Sequence, residues 1–376
     1  MFEELLHAPR FSKVDTWGRF LLGHTATGAS LYEADGDVAH FDLEGRWQRA
    51  QLGGKTFLRG LDGVVLERFG AKDGSDLRVR EARAVHAAVV ALVEQARAGA
   101  PVALSDWTVD RLLGEAQRFL TAYRPVGIVP PDRYRSLIIQ ATHGCAYNGC
   151  LFCSLYKGQR YRVVPPDELR DHVRRVKAFV GSGLAERRGV FLGEANALAM
   201  PGAELLRAFD VLHEELPALA RDVSSFIDAF DEYRSVDELR ALAERGLTRV
   251  FIGVESGDET TLGLLGKPET VAGVERLVAA LKAAGLSVGV IFLAGLGATH
   301  VEASARLCAR LPLEASDLVY VSPLVVEPGG PLAEQLHRRS VNRSRAEIDA
   351  EAAELRARLA GRAKVAHYDV RRWVYT

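Results

Sequence analysis

Cysteine is scarce in this chain, at four of 376 residues. So few thiols cannot form a disulfide framework, and with 48% hydrophobic residues the chain can bury a core large enough to need none. Long apolar runs are missing too: none approaches the roughly 18 residues that a membrane span requires. The opening MFEELLHAPRFSKVD lacks the charged-then-apolar layout of a secretory signal, so the expected location is the cytoplasm, with no membrane partner. An excess of charge is absent as well, since 48 basic side chains meet 49 acidic ones. The run 170-RDHVRRVK-177 reads as the solvated face of a helix, and the near-neutral balance argues against nucleic acid as a partner.

Against that scarcity, 143-HGCAYNGCLFCSLYKGQ-159 gathers Cys145, Cys150 and Cys153 within nine positions. In a reducing compartment such crowding reads as metal ligands or a redox site. The remaining Cys308, inside ASARLCARL, reads as a buried helical thiol.

The chain divides by pattern. Strand-like alternation in 38-VAHFDLEG-45 and 55-KTFLRGLDGVVLERF-69 predicts a small β-rich cap. Two amphipathic helices follow over 80–98 and 107–123, with Ser105 or Asp106 as N-cap of the second, and 125-PVGIVPPDRY-134 then breaks the pattern. From there short apolar runs alternate with helices: 137–142, 189–195, 224–230, 249–256, 287–297 and 317–326 are the expected strands. Helix starts are legible at Pro165–Pro166 and Pro201, and as capping boxes at Ser235/Glu238, Thr299/Glu302 and Ser344/Glu347. No Gly-x-Gly-x-x-Gly turn follows the first strand. The expected class is α/β: a partial (β/α)6 TIM-like barrel over 131–335, a smaller N-terminal α+β accessory region over 1–130, and a C-terminal helix and strand extension over 336–376.

Functional groups of a parallel barrel collect at the C-terminal ends of its strands, and the cysteines directly follow the first. Three thiolates on a cubane iron-sulfur cluster leave one iron open to another ligand. A structural zinc site with His143 as fourth ligand is the alternative, although the order His-x-Cys-x4-Cys-x2-Cys lacks the usual two separated ligand pairs.

Cys-x4-Cys-x2-Cys, with Phe152 before the last cysteine at the end of strand one of a βα-repeat domain, resembles the radical S-adenosylmethionine (SAM) superfamily. It resembles in particular the branch whose loops read GCxYNxCxFCxxYKG, and more distantly the HemN-type, Elongator-type and methylthiotransferase radical domains. The likeness spans roughly residues 135–330. Most of the superfamily has three residues between the first two cysteines; here there are four, Ala146 to Gly149.

The resemblance implies a 4Fe-4S cluster on Cys145, Cys150 and Cys153, with SAM beside it and Phe152 on the cofactor side. It places 193-GEAN-196, with Gly193 and Glu194, at the methionyl amino group, and Glu255 and Ser256 of 253-GVESG-257 near the ribose and carboxylate. Ile291 of 289-GVIFLAGLG-297 and Leu324 of 321-VSPLVVEPGG-330 are placed against the adenine. Asp228, Asp231 and His143 are the candidate catalytic residues, with Tyr156, Lys157 and His300 as further substrate-facing candidates; an acid in an apolar strand, as at Asp228, is costly unless paired or used.

The implied activity is reductive cleavage of SAM to a 5′-deoxyadenosyl radical that abstracts hydrogen from a small-molecule substrate, with flavodoxin or ferredoxin as electron donor. Alternatives are an RNA-modifying radical SAM enzyme and a structural or sensing zinc or iron-sulfur protein. With Cys308 alone left over, no second cysteine group exists for an auxiliary cluster. No Asp-x-His-x-x-Gly segment of the cobalamin-binding type is present either.

Overall fold

The computed structural model describes residues 11–69, 76–230, 234–338, 343–370 and 375. They form two compact units, one from the described residues up to 125, 174–187 and 375, the other from those of 126–173 and 188–370. No helix among the described residues is long and apolar enough to cross a membrane.

The first unit is an antiparallel meander of β1 (Lys13–Trp17), β2 (Phe20–Thr25), β3 (Gly28–Glu33), β4 (Val38–Phe41), β5 (Trp47–Leu52), β6 (Lys55–Arg59), β7 (Val65–Phe69) and β8 (Asp76–Arg80), each paired with the next. It is thus longer than the two strand-like stretches in the sequence predict. Turns as tight as Gly53–Gly54, both at positive φ between paired Leu52 and Lys55, leave segments of four to six residues that are hard to separate by periodicity.

One face of the sheet, with Leu22, Leu31, Trp47 and Phe57, packs on Val89, Leu92 and Val93 of the helix Ala82–Arg97 and on Leu112 of the helix Val109–Ala122. The second helix is capped by Thr108, whose hydroxyl accepts from Arg111 N, and not by Ser105 or Asp106. Within this core Arg46 donates to Asp42 Oδ2 at 2.8 Å, to Glu115 Oε2 at 3.2 Å and to the carbonyls of Phe179 and Val180.

The second unit holds a parallel sheet. Its strands are β9 (Leu137–Gln140), β12 (Val190–Gly193), β13 (Val223–Phe226), β14 (Leu247–Glu255), β15 (Ser287–Ala294), β16 (Leu318–Pro323) and β17 (Lys364–His367), lying side by side in chain order. The short ladder of β10 (Thr142–His143) and β11 (Arg162–Val163) lies apart from it. Strand order that never reverses has no topological switch point, so the crossover helices follow one direction around the sheet, as in a barrel. Leu137, Ile139, Leu192, Val250, Ile252, Val288 and Val290 are wholly buried, which explains why the strands read as apolar runs instead of alternating ones.

The α/β partial barrel with its N-terminal antiparallel region matches the expected class, and all six expected strands are present. A seventh, β17, comes from the segment read as an extension: it pairs with β16, and the helix Arg345–Arg358 packs on β15 and β16. Capping boxes form at Ser235/Glu238 and Ser344/Glu347. The third does not, because the helix Ala298–Arg310 begins one residue before Thr299 with Gly297 as its cap.

Candidate functional site

The cysteine loop is pinched at its base by the antiparallel pairing of Thr142–His143 with Arg162–Val163. Asn148, in the four-residue spacer, takes φ +51°, a conformation asparagine tolerates better than most residues. Its side chain donates to Tyr156 O at 2.8 Å and its N–H to Cys145 Sγ at 3.4 Å, while Lys157 Nζ donates to Asn148 O at 2.7 Å. The extra residue is therefore absorbed in an asparagine-centred turn braced from across the loop. Tyr147 OH donates to Gly266 O at 2.7 Å and its ring lies 4.9 Å from that of Phe230, while Leu151 N donates to Leu265 O, so the loop is moored to the segment after β13 and to the turn after the helix Glu259–Leu264.

All three cysteines border a cavity of about 290 Å³ at the C-terminal ends of the strands. Phe152, Asp228, Glu255, Ile291 and Leu324 border the same space, as does Tyr156, whose hydroxyl accepts from Ala195 N at 3.2 Å. The bulge of β14 between Gly253 and Glu255 and the φ of +57° at Glu255 turn this carboxylate out of the strand register.

Lys267, missed in the sequence, also borders the cavity. Its ammonium lies 2.9 Å from Glu255 Oε1 and 3.4 Å from Glu269 Oε1, with a side chain 3% exposed. Burial acts to lower its pKa, but Glu255, Glu269 and Asp228 outweigh burial and raise it, so it is charged. Glu269 also accepts from Ala229 N at 2.9 Å, which anchors the end of β13 beside Asp228. A lysine in the apolar turn LGLLGKP, set between two acids, was the available signal.

Other candidates stand elsewhere. Ser256 is fully buried, and its hydroxyl is committed to His300 Nδ1 at 2.8 Å and to the N–H of Asp258 at 3.0 Å. It therefore does not border the cavity. His300 Nε2 lies 2.6 Å from Leu293 O and must donate to that carbonyl, leaving Nδ1 to accept from Ser256; this histidine ties β14 to β15 and does not face a substrate.

Glu194, 5% exposed, turns its carboxylate to Gln140 Nε2 and to Gly144 N, supporting the start of the cysteine loop. Neither it nor Gly193 borders the cavity, whereas Ala195 does. His143 sits in the β10 ladder away from the cavity, and Lys157 braces the loop. Asp231 lies outside the described residues. Cys308 is half-buried in the helix Ala298–Arg310.

Burial pushes all three loop thiols up, Cys150 to about 12. Among the described residues no three His, Cys, Asp or Glu side chains converge as a single-ion site requires. A four-iron cluster takes each thiolate on a different iron, so its ligands need not converge, and a soft three-thiol donor set suits it. The residues present fit such a cluster, which three thiolates would hold with one iron lacking a protein ligand.

The class defined by the fold is a partial barrel domain with three thiols on a cavity at its strand ends. Residues 139–307 match the family model of the radical SAM superfamily, and the chain carries a radical SAM domain. The superfamily's members are enzymes, and the cofactors of this domain are a 4Fe-4S cluster and S-adenosylmethionine.

An uncharacterised protein of Methanopyrus kandleri is 32% identical over 184 residues, covering 45% of this chain and 33% of that protein. The chain thus spans about a third of the curated relative's length. Solved structures with similarity include coproporphyrinogen III oxidase from Escherichia coli, a radical SAM enzyme, at 17% identity over 65% of this chain and 55% of that one, TM-score 0.47. A radical SAM methyltransferase from Sphaerobacter thermophilus shows 19% identity over 64% and 68%, TM-score 0.45. The methyltransferase TsrM from Kitasatospora setae, with cobalamin and a [4Fe-4S] cluster bound, shows 19% over 58% and 44%, TM-score 0.42.

Proposed function

We propose that the chain is a radical SAM enzyme acting on a small molecule, with Cys145, Cys150 and Cys153 holding the cluster. The observation that carries this reading is that the three cysteines share one cavity with Glu255, Lys267, Ile291 and Leu324, contributed by successive strands β14 to β16 and the segments that follow them. When bound, the cofactors supply one-electron reductive cleavage of SAM to methionine and a 5′-deoxyadenosyl radical, which removes a hydrogen atom from the substrate.

The protein's part is binding, orientation and exclusion of water. Glu255, fixed by Lys267, presents a carboxylate to a hydroxyl or ammonium of SAM, while Ile291, Leu324 and Phe152 supply apolar surface for the adenine. Asp228, at the end of β13, is the acid offered to the substrate. The electron enters from a flavodoxin or ferredoxin.

The test is anaerobic reconstitution of the purified chain with iron and sulfide, followed by dithionite and SAM. Absorption near roughly 400 nm and formation of 5′-deoxyadenosine are expected; absence of both sinks the reading.

A further inference from the structure

At the C-terminal end of β15 the backbone N–H groups of Gly295, Leu296 and Gly297 all point at one carboxylate. Gly295 N and Leu296 N donate to Glu351 Oε1 at 2.7 and 2.8 Å, and Gly297 N to Oε2 at 3.0 Å. Gly295 and Gly297 have φ of +107° and +105°, which glycine reaches without the strain a side chain would bring. Such a nest is a concavity for anions, and here the chain fills it with its own side chain. Glu351 comes from the helix Arg345–Arg358, is 7% exposed, and is held from behind by Arg343 Nη1 at 2.6 Å. The fit is close: a Cβ on Gly295 would lie 3.0 Å from Ile348 Cγ1 of the same helix.

The turn governs the cavity through short links. Leu293, two residues before the nest, borders the cavity, and its carbonyl accepts from His300, which also binds Ser256 next to Glu255. The 295–297 turn is thus coupled to Leu293 and Ile291 on one strand and, through the His300 bridge, to Ser256, the neighbour of Glu255, on the next.

We infer that Glu351 is a positioning residue for the cofactor cavity: it holds the end of β15 in shape from a helix that lies beyond the family-matched residues 139–307. This rests on the proposed function for its consequence, which is SAM affinity, but not for the nest itself.

The experiment compares wild type with Glu351→Gln, Glu351→Ala and, as a control on the exposed side of the same helix, Glu354→Ala. Hydrogen exchange on the cofactor-free chain reads the nest directly. Exchange of the 295–297 amides is expected to rise at least ~10-fold in Glu351→Ala, to rise at Gly297 in Glu351→Gln, whose side chain has one acceptor oxygen instead of two, and to stay at the wild-type rate in Glu354→Ala. Equilibrium dialysis of labelled SAM against the reconstituted protein is expected to show a Kd raised about 10-fold or more, with iron per chain unchanged.

Glu351→Gln keeps the side-chain shape, so it serves if Glu351→Ala does not fold. Wild-type exchange of the Gly297 amide in Glu351→Gln overturns the nest. An unchanged SAM Kd in a variant whose exchange has risen overturns the positioning role alone. Failure of wild type itself to bind SAM overturns the proposed function, and the consequence drawn here with it.

Discussion

The Lys267 ammonium lies 2.9 Å from Glu255 Oε1, and both side chains are almost withdrawn from solvent, at 3% and 9% exposure. Glu269, at 3.4 Å, is the weaker partner. A buried pair of this kind contributes little net stability compared with an apolar pair, but removing one member leaves a charge with no counterpart. Lys267→Met is therefore expected to destabilise the second unit by about 3–5 kcal/mol, and Lys267→Arg by less. Urea titration followed by far-UV circular dichroism measures this, and a loss below about 1 kcal/mol would show that the pair behaves like a surface one.

Glu269 gives the site a pH signature. Burial pushes its pKa from 4.5 to about 7, against the lowering effects of Lys267 and the Ala229 N–H. Between these values the folded state holds a proton that the unfolded chain has released, so the contribution to stability falls as pH rises from about 4.5 to about 7. Glu269→Gln should remove that decline. Urea midpoints at several pH values across the window test it, and equal slopes for both proteins would refute the assignment.

His86 in the first unit acts in the opposite sense. It is fully buried against Trp47, neither ring nitrogen has a hydrogen-bond partner among the described residues, and burial, then the charge of Arg59, lowers its pKa to about 4. The unfolded chain binds this proton first, so stability is present above about 6.5 and is lost towards pH 4, by about 3 kcal/mol in all. His86→Leu should abolish the loss. The three tryptophans among the described residues, Trp17, Trp47 and Trp107, belong to this unit, so tryptophan fluorescence is the probe for it.

Among the thiols, Cys150→Ala is expected to remove the absorption of the reconstituted chain and its 5′-deoxyadenosine product. Cys308→Ala, on a helix outside the cavity lining, is expected to retain both. Iron and sulfide analysis per chain decides between ligand loss and unfolding, and equal losses in the two variants would mean that the ligands are misassigned.

Much of the barrel was legible because its strands are buried on both faces and so read as apolar runs between capped helices. The cysteine loop was legible because three of four cysteines share nine positions. Less legible were contacts between residues far apart in the chain. Ser256 and His300 are polar residues at strand ends and look like site residues, yet they satisfy each other 44 positions apart. Nor does the sequence show that the Glu194 carboxylate meets Gln140 and Gly144. The meander was underestimated because its strands are short and its turns tight.

Residue type and order alone pointed to a metal or redox loop, since three of the four cysteines share nine positions, and the resemblance of that motif to a known superfamily carried the rest. What only the tertiary structure decided is which polar groups face the cavity. A side chain's availability depends on whether neighbours from other strands already satisfy it, and that is set by packing: Lys267 and Glu255 are held at the cavity wall, while Ser256, His300 and Glu351 are bound behind it.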